Sequence, residues 1–186
     1  MIGPVALLLI AALFAGVAHL ASVLAMPWLA PRDGYARLAE IAPENQMAVL
    51  PEAQLGEILP FADPSVAVAV CRYGLDKGPV RIRVAVGATP LALLLMRHGV
   101  GIYHSVTDKA ATQGVLEVVV ATEEQMDQIT ELDVDDEPVQ EIRVVSREPT
   151  GVALLRGLAP LPSQRADVEQ RIGGATCEVE RLADQE

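Results

Sequence analysis

Val80-Arg81-Ile82-Arg83-Val84-Ala85-Val86 places an apolar, mostly β-branched residue at every second position and alternates them with Arg81, Arg83 and Ala85. Side chains on a strand point alternately to opposite faces, so this stretch predicts a strand with one dry and one wet face. Similar runs surround it. Upstream, Val66 to Tyr73 reads as a strand that the turn Gly74-Leu75-Asp76-Lys77-Gly78-Pro79 joins to it. Downstream, Leu91 to Arg97 is a continuous apolar run that Gly99 and Gly101 turn toward Ile102 to Val106, and a hairpin is its simplest form. Val115 to Ala121, Val139 to Ser146 and Val152 to Leu158 read as further strands. Thr122 is placed to cap a short helix ending near Leu132. Ser163 is placed to cap a closing helix to Ile172, which Gly173-Gly174 stops. Without regular strand–helix alternation, the expected class is mainly β or α+β. Residues 65–186 then form one antiparallel, sandwich-like domain with a short C-terminal helix.

The other end of the chain is of different composition. Residues 1–31 contain no Asp, Glu, Lys or Arg, and the run from Val5 to Leu29 is long enough to cross a hydrocarbon core. We read residues 1–30 as a transmembrane anchor ended by Pro27 and Pro31. The competing reading is a cleaved signal peptide with a site at Val23-Leu24-Ala25, but the basic start and short apolar core of such signals are absent. His19 is the ionisable side chain of the span and reads as a neutral imidazole or helix contact. Residues 31–64 are expected to be an amphipathic helix from Arg32 to Ile41, lying close to the bilayer, followed by a connector rich in Pro with a helical turn near Glu52 to Ile58. All 25 acidic and 14 basic residues follow the span, so the remainder carries the whole formal charge of −11. That charge, with aromatics at 3%, argues against a nucleic-acid partner.

Residues able to do chemistry are few. Arg97, His98, Tyr103 and His104 gather around the Gly99–Gly101 turn and are the best polar candidates, with both histidines on one side of a hairpin. Two histidines without a third ligand make a poor zinc site, so no metal and no cofactor are expected. Glu123, Glu124, Asp127, Glu131, Asp133, Asp135, Asp136 and Glu137 lack the spacing of a calcium loop and read as a solvated acidic face. No nucleophile elbow, phosphate loop, dinucleotide fingerprint, His-Glu-x-x-His or Cys-x-x-Cys occurs, which moves weight from catalysis toward binding or assembly. Spacing leaves Cys71 and Cys177 either bonded across a loop of about 100 residues or idle as separate thiols.

Several short phrases recur in order: Ala18-His19-Leu20, Pro31-Arg32-Asp33, Phe61-Ala62-Asp63-Pro64, Cys71-Arg72-Tyr73-Gly74-Leu75, Gly78-Pro79-Val80 and finally Cys177. Together they resemble the small membrane-anchored alphaproteobacterial proteins of domain-of-unknown-function family 1254. The phrase Thr89-Pro90-Leu91-Ala92-Leu93-Leu94-Leu95 departs from that pattern. The resemblance implies a mainly β domain on the periplasmic side of the inner membrane, associated with a protein of family 1214, and no activity. An oxidising periplasm tilts the cysteines toward a Cys71–Cys177 bond. Two functions stand as expectations. One is a single-pass membrane protein whose β domain holds a partner protein or envelope component. The other is a periplasmic enzyme acting on an envelope substrate through Arg97, His98, Tyr103 and His104.

Overall fold

The computed structural model describes residues 3–29, 34–132 and 140–180. The chain divides into two compact units, Met1–Asp33 and Gly34–Glu186. The first contains helix α1 (Pro4–Leu29), which passes Pro27 before it ends. A proline there removes one N–H from the last turns, where intrahelical bonds are already incomplete, so the expected stop at Pro27 is overcome. Within α1, Pro4–Met26 is long and apolar enough to cross a membrane, and none of that stretch is buried in the protein.

The second unit is built on two sheets. One has the strand order β1 (Ala48–Val49), β2 (Val66–Gly74), β8 (Thr150–Leu158), β4 (Leu91–Arg97) and β5 (Gly101–Thr107). The other has the order β7 (Ile142–Val145), β6 (Val115–Ala121), β3 (Val80–Ala85) and β9 (Thr176–Val179). All pairings are antiparallel except β6 with β7. The class is therefore α+β, as the sequence predicts.

The two central patterns explain the layers. In β3, Val80, Ile82 and Val84 are buried while Arg81, Arg83 and Ala85 face out, the alternation of a strand covered on one side. In β2 every residue but Arg72 is buried. Its Ala67, Ala69, Cys71 and Tyr73 join the core between the sheets, whereas Val66, Val68 and Val70 join a second core on the outer face. Strands β8 and β4 divide likewise, with Leu155, Leu93 and Leu95 inside and Leu154, Val152 and Leu94 outside.

The outer core is closed by α2 (Gly34–Ile41) and α3 (Glu52–Ile58), whose Leu38 and Leu55 are buried there. Burying a leucine contributes about 2 kcal/mol. The apolar stripe of α2 is thus used against the sheet. The boundary expected at residue 65 shifts, because the Pro-rich connector belongs to the body. The Arg72 and Leu50 amides donate to the Pro43 and Val68 carbonyls, and the Asn45 side chain accepts from the Gly74 amide at 2.9 Å. These bonds satisfy the free edge of β2.

Helix α4 (Glu123–Leu132) covers part of the second sheet with Ile129 against Val119 and Ala121. Thr122 caps it as the sequence predicts, the Gln125 amide donating to Thr122 Oγ1 at 3.2 Å, and the Thr122 amide donating to Gln125 Oε1 at 3.1 Å completes a capping box. Helix α5 (Arg165–Gly173) starts two residues later than expected, since Ser163 lies in a 3₁₀ turn and caps nothing. Its Val168 and Ile172 close one end of the inner core. A Cβ at Gly157 would approach Val168 Cγ1 to 2.5 Å, so glycine is required for that contact.

Cys71 of β2 and Cys177 of β9 form a disulfide between the two sheets, with Cα atoms 6.5 Å apart and a separation of 106 positions in sequence. In the chain-entropy account a loop of that length is worth about 4–5 kcal/mol. Replacing both cysteines with alanine is expected to lower unfolding free energy in urea by about that amount, and reducing agent should have no further effect on the double variant.

Candidate functional site

The hairpin of β4 and β5 was singled out by its polar residues, and its geometry separates them. Pairing runs Leu95 with His104 and then Met96 with Ile102, which leaves Tyr103 as the extra residue of a bulge. The bulge turns Tyr103 toward the inner core, where it packs half-buried. His104 stands opposite Leu95, an inner-core residue, and directly opposed residues share a face. His98 instead lies in the turn, its ring 5.7 Å from that of Tyr35 on α2, which covers the other face of the sheet. The two imidazoles therefore do not converge on one side of the hairpin. Among the described residues, no group of three or more His, Cys, Asp or Glu could hold a metal ion.

What the bulge assembles is a chain of hydroxyls that is not apparent from sequence spacing. Tyr103 Oη lies 3.0 Å from Tyr73 Oη, and Tyr73 Oη lies 3.5 Å from Ser146 Oγ. Ser146 donates to the Glu148 carbonyl at 2.7 Å. The Arg97 guanidinium carbon sits 4.8 Å from the centre of the Tyr103 ring, a cation–π contact. Tyr73 comes from the end of β2 and fills the space beside Gly151, its partner in register, where any side chain would collide with the phenol. Burial pushes the Tyr73 hydroxyl far above the usual phenol range, with the neighbouring Tyr103 adding to it. Burial raises Tyr103 as well, against the opposing effects of its Tyr73 and Ser146 hydrogen bonds and of Arg97. Both phenols stay protonated near neutrality and can donate hydrogen bonds, but neither serves as a base.

A second polar cluster lies on the wet face of β3. Arg81 contacts Glu117 of β6 and Glu141, and reaches Glu180 at 2.8 Å; Arg83 reaches Glu117 at 3.0 Å and Arg143 reaches Glu141 at 2.9 Å. Burial works against the charge on Arg81, but hydrogen bonds from three carboxylates overcome it and hold the guanidinium more firmly protonated than usual. This network ties three strands and the chain beyond β9 together. The acidic residues Glu123, Glu124, Asp127 and Glu131 lie on α4, while Asp133, Asp135, Asp136 and Glu137 lie outside the described residues.

The outer face of the five-stranded sheet carries an open groove beside α2, whose Leu38 contributes to its lining. One part, about 200 Å³, is lined by Met96, Ile102, Leu154, Phe61 and Asp63. An adjoining part of about 380 Å³ is lined by Pro90, Ala92, Thr107, Lys109 and Leu158. Val66 and Arg156 belong to both. The Ser65 hydroxyl and amide donate to the Asp63 carboxylate at 2.7 and 2.8 Å and hold its pKa below the usual range, with Arg156 nearby adding a smaller effect.

No protein-family model matches this sequence, and no curated protein matches it either. Among solved structures, the chain resembles the VPA0106 protein from Vibrio parahaemolyticus, with a TM-score of 0.53 and 12% identity over 75% of this chain and 31% of that one. It also resembles an uncharacterized protein from Burkholderia cenocepacia, with a TM-score of 0.51 and 14% identity over 78% of this chain and 39% of that one. The likeness is one of fold, and this chain spans between about a third and two fifths of their lengths.

Two substitutions test these clusters. Tyr73→Phe removes the hydroxyl bonded to Tyr103 at 3.0 Å and should cost about 1 kcal/mol near neutral pH. Because the folded Tyr73 keeps its proton above the pH where the unfolded phenol loses it, its contribution is present below about pH 10 and is lost as pH rises further. The melting temperature of the parent should therefore fall more steeply above that pH than that of the variant. Arg81→Met leaves Glu117 and Glu141 facing each other and should cost about 2 kcal/mol or more; adding Glu141→Gln should recover part of it in a denaturation series.

Proposed function

We propose that this is a single-pass membrane protein whose β-sandwich body lies in the periplasm and holds a partner protein or envelope component. The reading takes the chain as a relative of domain-of-unknown-function family 1254, with a protein of family 1214 as the partner. The observation that carries it is the groove on the outer face of the five-stranded sheet, an apolar surface flanked by Arg156 and Lys109 that the protein's own helices leave open. Protein interfaces are built on such surfaces, apolar at the centre and polar at the rim. Three further points support the reading. Helix α1 is apolar throughout and long enough for a span. The Cys71–Cys177 bridge suits an oxidising compartment. The hydroxyl cluster offers protonated phenols and no paired base, which suits binding better than acid–base chemistry.

The test is site-specific photo-crosslinking in native membranes. A photoreactive residue in place of Ala92, inside the groove, should give one discrete adduct that co-purifies in fixed stoichiometry with the tagged chain, while the same residue in place of Asp127 on α4 should not. A monodisperse chain with no adduct at Ala92 would overturn the binding reading. Alkaline phosphatase fused to the C-terminus should be active if the body is periplasmic and inactive if it faces the cytoplasm.

A further inference from the structure

Among the described residues outside α1, the exposed large apolar side chains are Ile41, Phe61, Val100, Ile102, Leu132, Val145 and Leu161, and three of them lie at one end of the groove. Val100 and Ile102, at the tip of the β4–β5 hairpin, are 52% and 54% exposed, and Phe61 is fully exposed. Phe61 and Ile102 line the same end of the groove, and Val100 is two residues from Ile102 on the turn. Phe61 also has a φ of +67°, a left-handed conformation that is costly for a bulky residue, and a conformation of that kind persists when the surrounding structure enforces it. A large aromatic ring held fully in water on a strained backbone is unfavourable for a body surrounded by solvent alone.

The charges of this region fit a particular occupant. From Leu91 to Thr107 the chain contains no Asp or Glu, and its ionisable groups are Arg97, His98, Tyr103 and His104, in a protein of net charge −11; Asp63, which lines the groove with Phe61, is a carboxylate of this end and is held by Ser65. Carboxylates are costly to bring to a lipid surface, whereas arginine and aromatic residues suit the headgroup level. The chain enters the body beside this tip, since Tyr35 of α2 touches His98.

We propose that the β4–β5 tip, with Phe61 beside it, is the surface by which the body rests in the interface of a lipid bilayer. Val100, Ile102 and Phe61 sit at the acyl boundary, and His98 meets the phosphates. This rests on the reading of α1 as an anchor, and it leaves the Ala92 and Lys109 end of the groove for a partner. The contact sets the orientation of the body, so that the partner-binding end is presented away from the membrane surface.

The experiment uses the full chain reconstituted in vesicles of phosphatidylcholine and phosphatidylglycerol. Val100→Cys and Asp127→Cys variants carry a fluorescent label on the added thiol, and a count of one reactive thiol per chain shows that the Cys71–Cys177 bridge and hence the fold are intact. Flotation of the chain with the vesicles tests the anchor. Quenching by a nitroxide attached to the lipid near the headgroup tests the tip. A label at position 100 is expected to be quenched at least about twofold more than one at position 127, because an interfacial contact buries its apolar side chains about 5–10 Å deep. A chain that does not float removes the anchor reading and the tip contact with it. A chain that floats with equal quenching at both positions leaves the anchor standing and overturns the tip contact.

Discussion

Strands β2, β8 and β4 are apolar on both faces, and the five-stranded sheet they form must be covered twice. A sheet with one wet face can stand against a single neighbour, but this one cannot. The inner face is covered by the four-stranded sheet and by α5. The outer face is covered by whatever the chain supplies before β2, which is α2, the Pro-rich segment and α3. These elements are short. They cover β2 and β8 and reach β4 at Leu94 and Met96, leaving Ile102 exposed at the margin of an open groove. The groove is therefore a consequence of a wide apolar sheet paired with too little helix, and any occupant completes a layer that the chain itself begins.

The inner interface has the opposite character, being closed at several points. Small residues on β2, Ala67 and Ala69, let the sheets approach, and the Cys71–Cys177 bond then joins β2 to β9 across them. Strand β9 has four residues and pairs only with β3. Its position depends on that bond and on Glu180, which binds Arg81 just beyond it. Since Arg81 also contacts Glu117 and Glu141, the wet face of β3 fastens the same strands that the dry face packs. A partly buried network of this kind adds registry rather than large net energy, because desolvation of the charges offsets much of their attraction.

Much of this was legible in the sequence where the physics is local. The alternation of Val80 to Ala85 and the capping residues Thr122 and Gln125 express themselves within a few positions, and the structure follows them. The segments that escaped have no period of their own. Ala48–Val49 is too short to alternate and becomes a strand because β2 offers an unpaired edge. Thr176–Val179 is half polar and becomes one because Cys177 and the β3 edge hold it. Pro-rich composition suggested a connector, but proline limits hydrogen bonding by its own nitrogen and leaves its carbonyl free, and Pro43 uses that carbonyl on Arg72. The polar cluster shows the same division. Arg97 and Tyr103 are neighbours in the hairpin, whereas Tyr73 and Ser146 join them from positions 30 and 43 residues away along the chain from Tyr103, which no spacing argument could pair.

The bulge at Tyr103 links the two halves of the functional reading. A regular β4–β5 ladder would alternate strictly and send Tyr103 and Ile102 to opposite faces in step with His104. The extra residue lets both Tyr103 and His104 be placed on the inner side while Ile102 stays opposite Met96 on the outer side. One turn of chain thereby supplies a hydroxyl to the interior, where it bonds Tyr73, and an apolar side chain to the groove beside Phe61. Bulges bend a strand and increase its twist, so the same irregularity that buries Tyr103 also directs the Val100 tip. The interior phenols hold that geometry because, protonated and hydrogen-bonded, they leave no buried charge that would favour opening the end of the sandwich. The hydroxyl cluster is thus the inner support of a hairpin whose outer side borders the apolar groove.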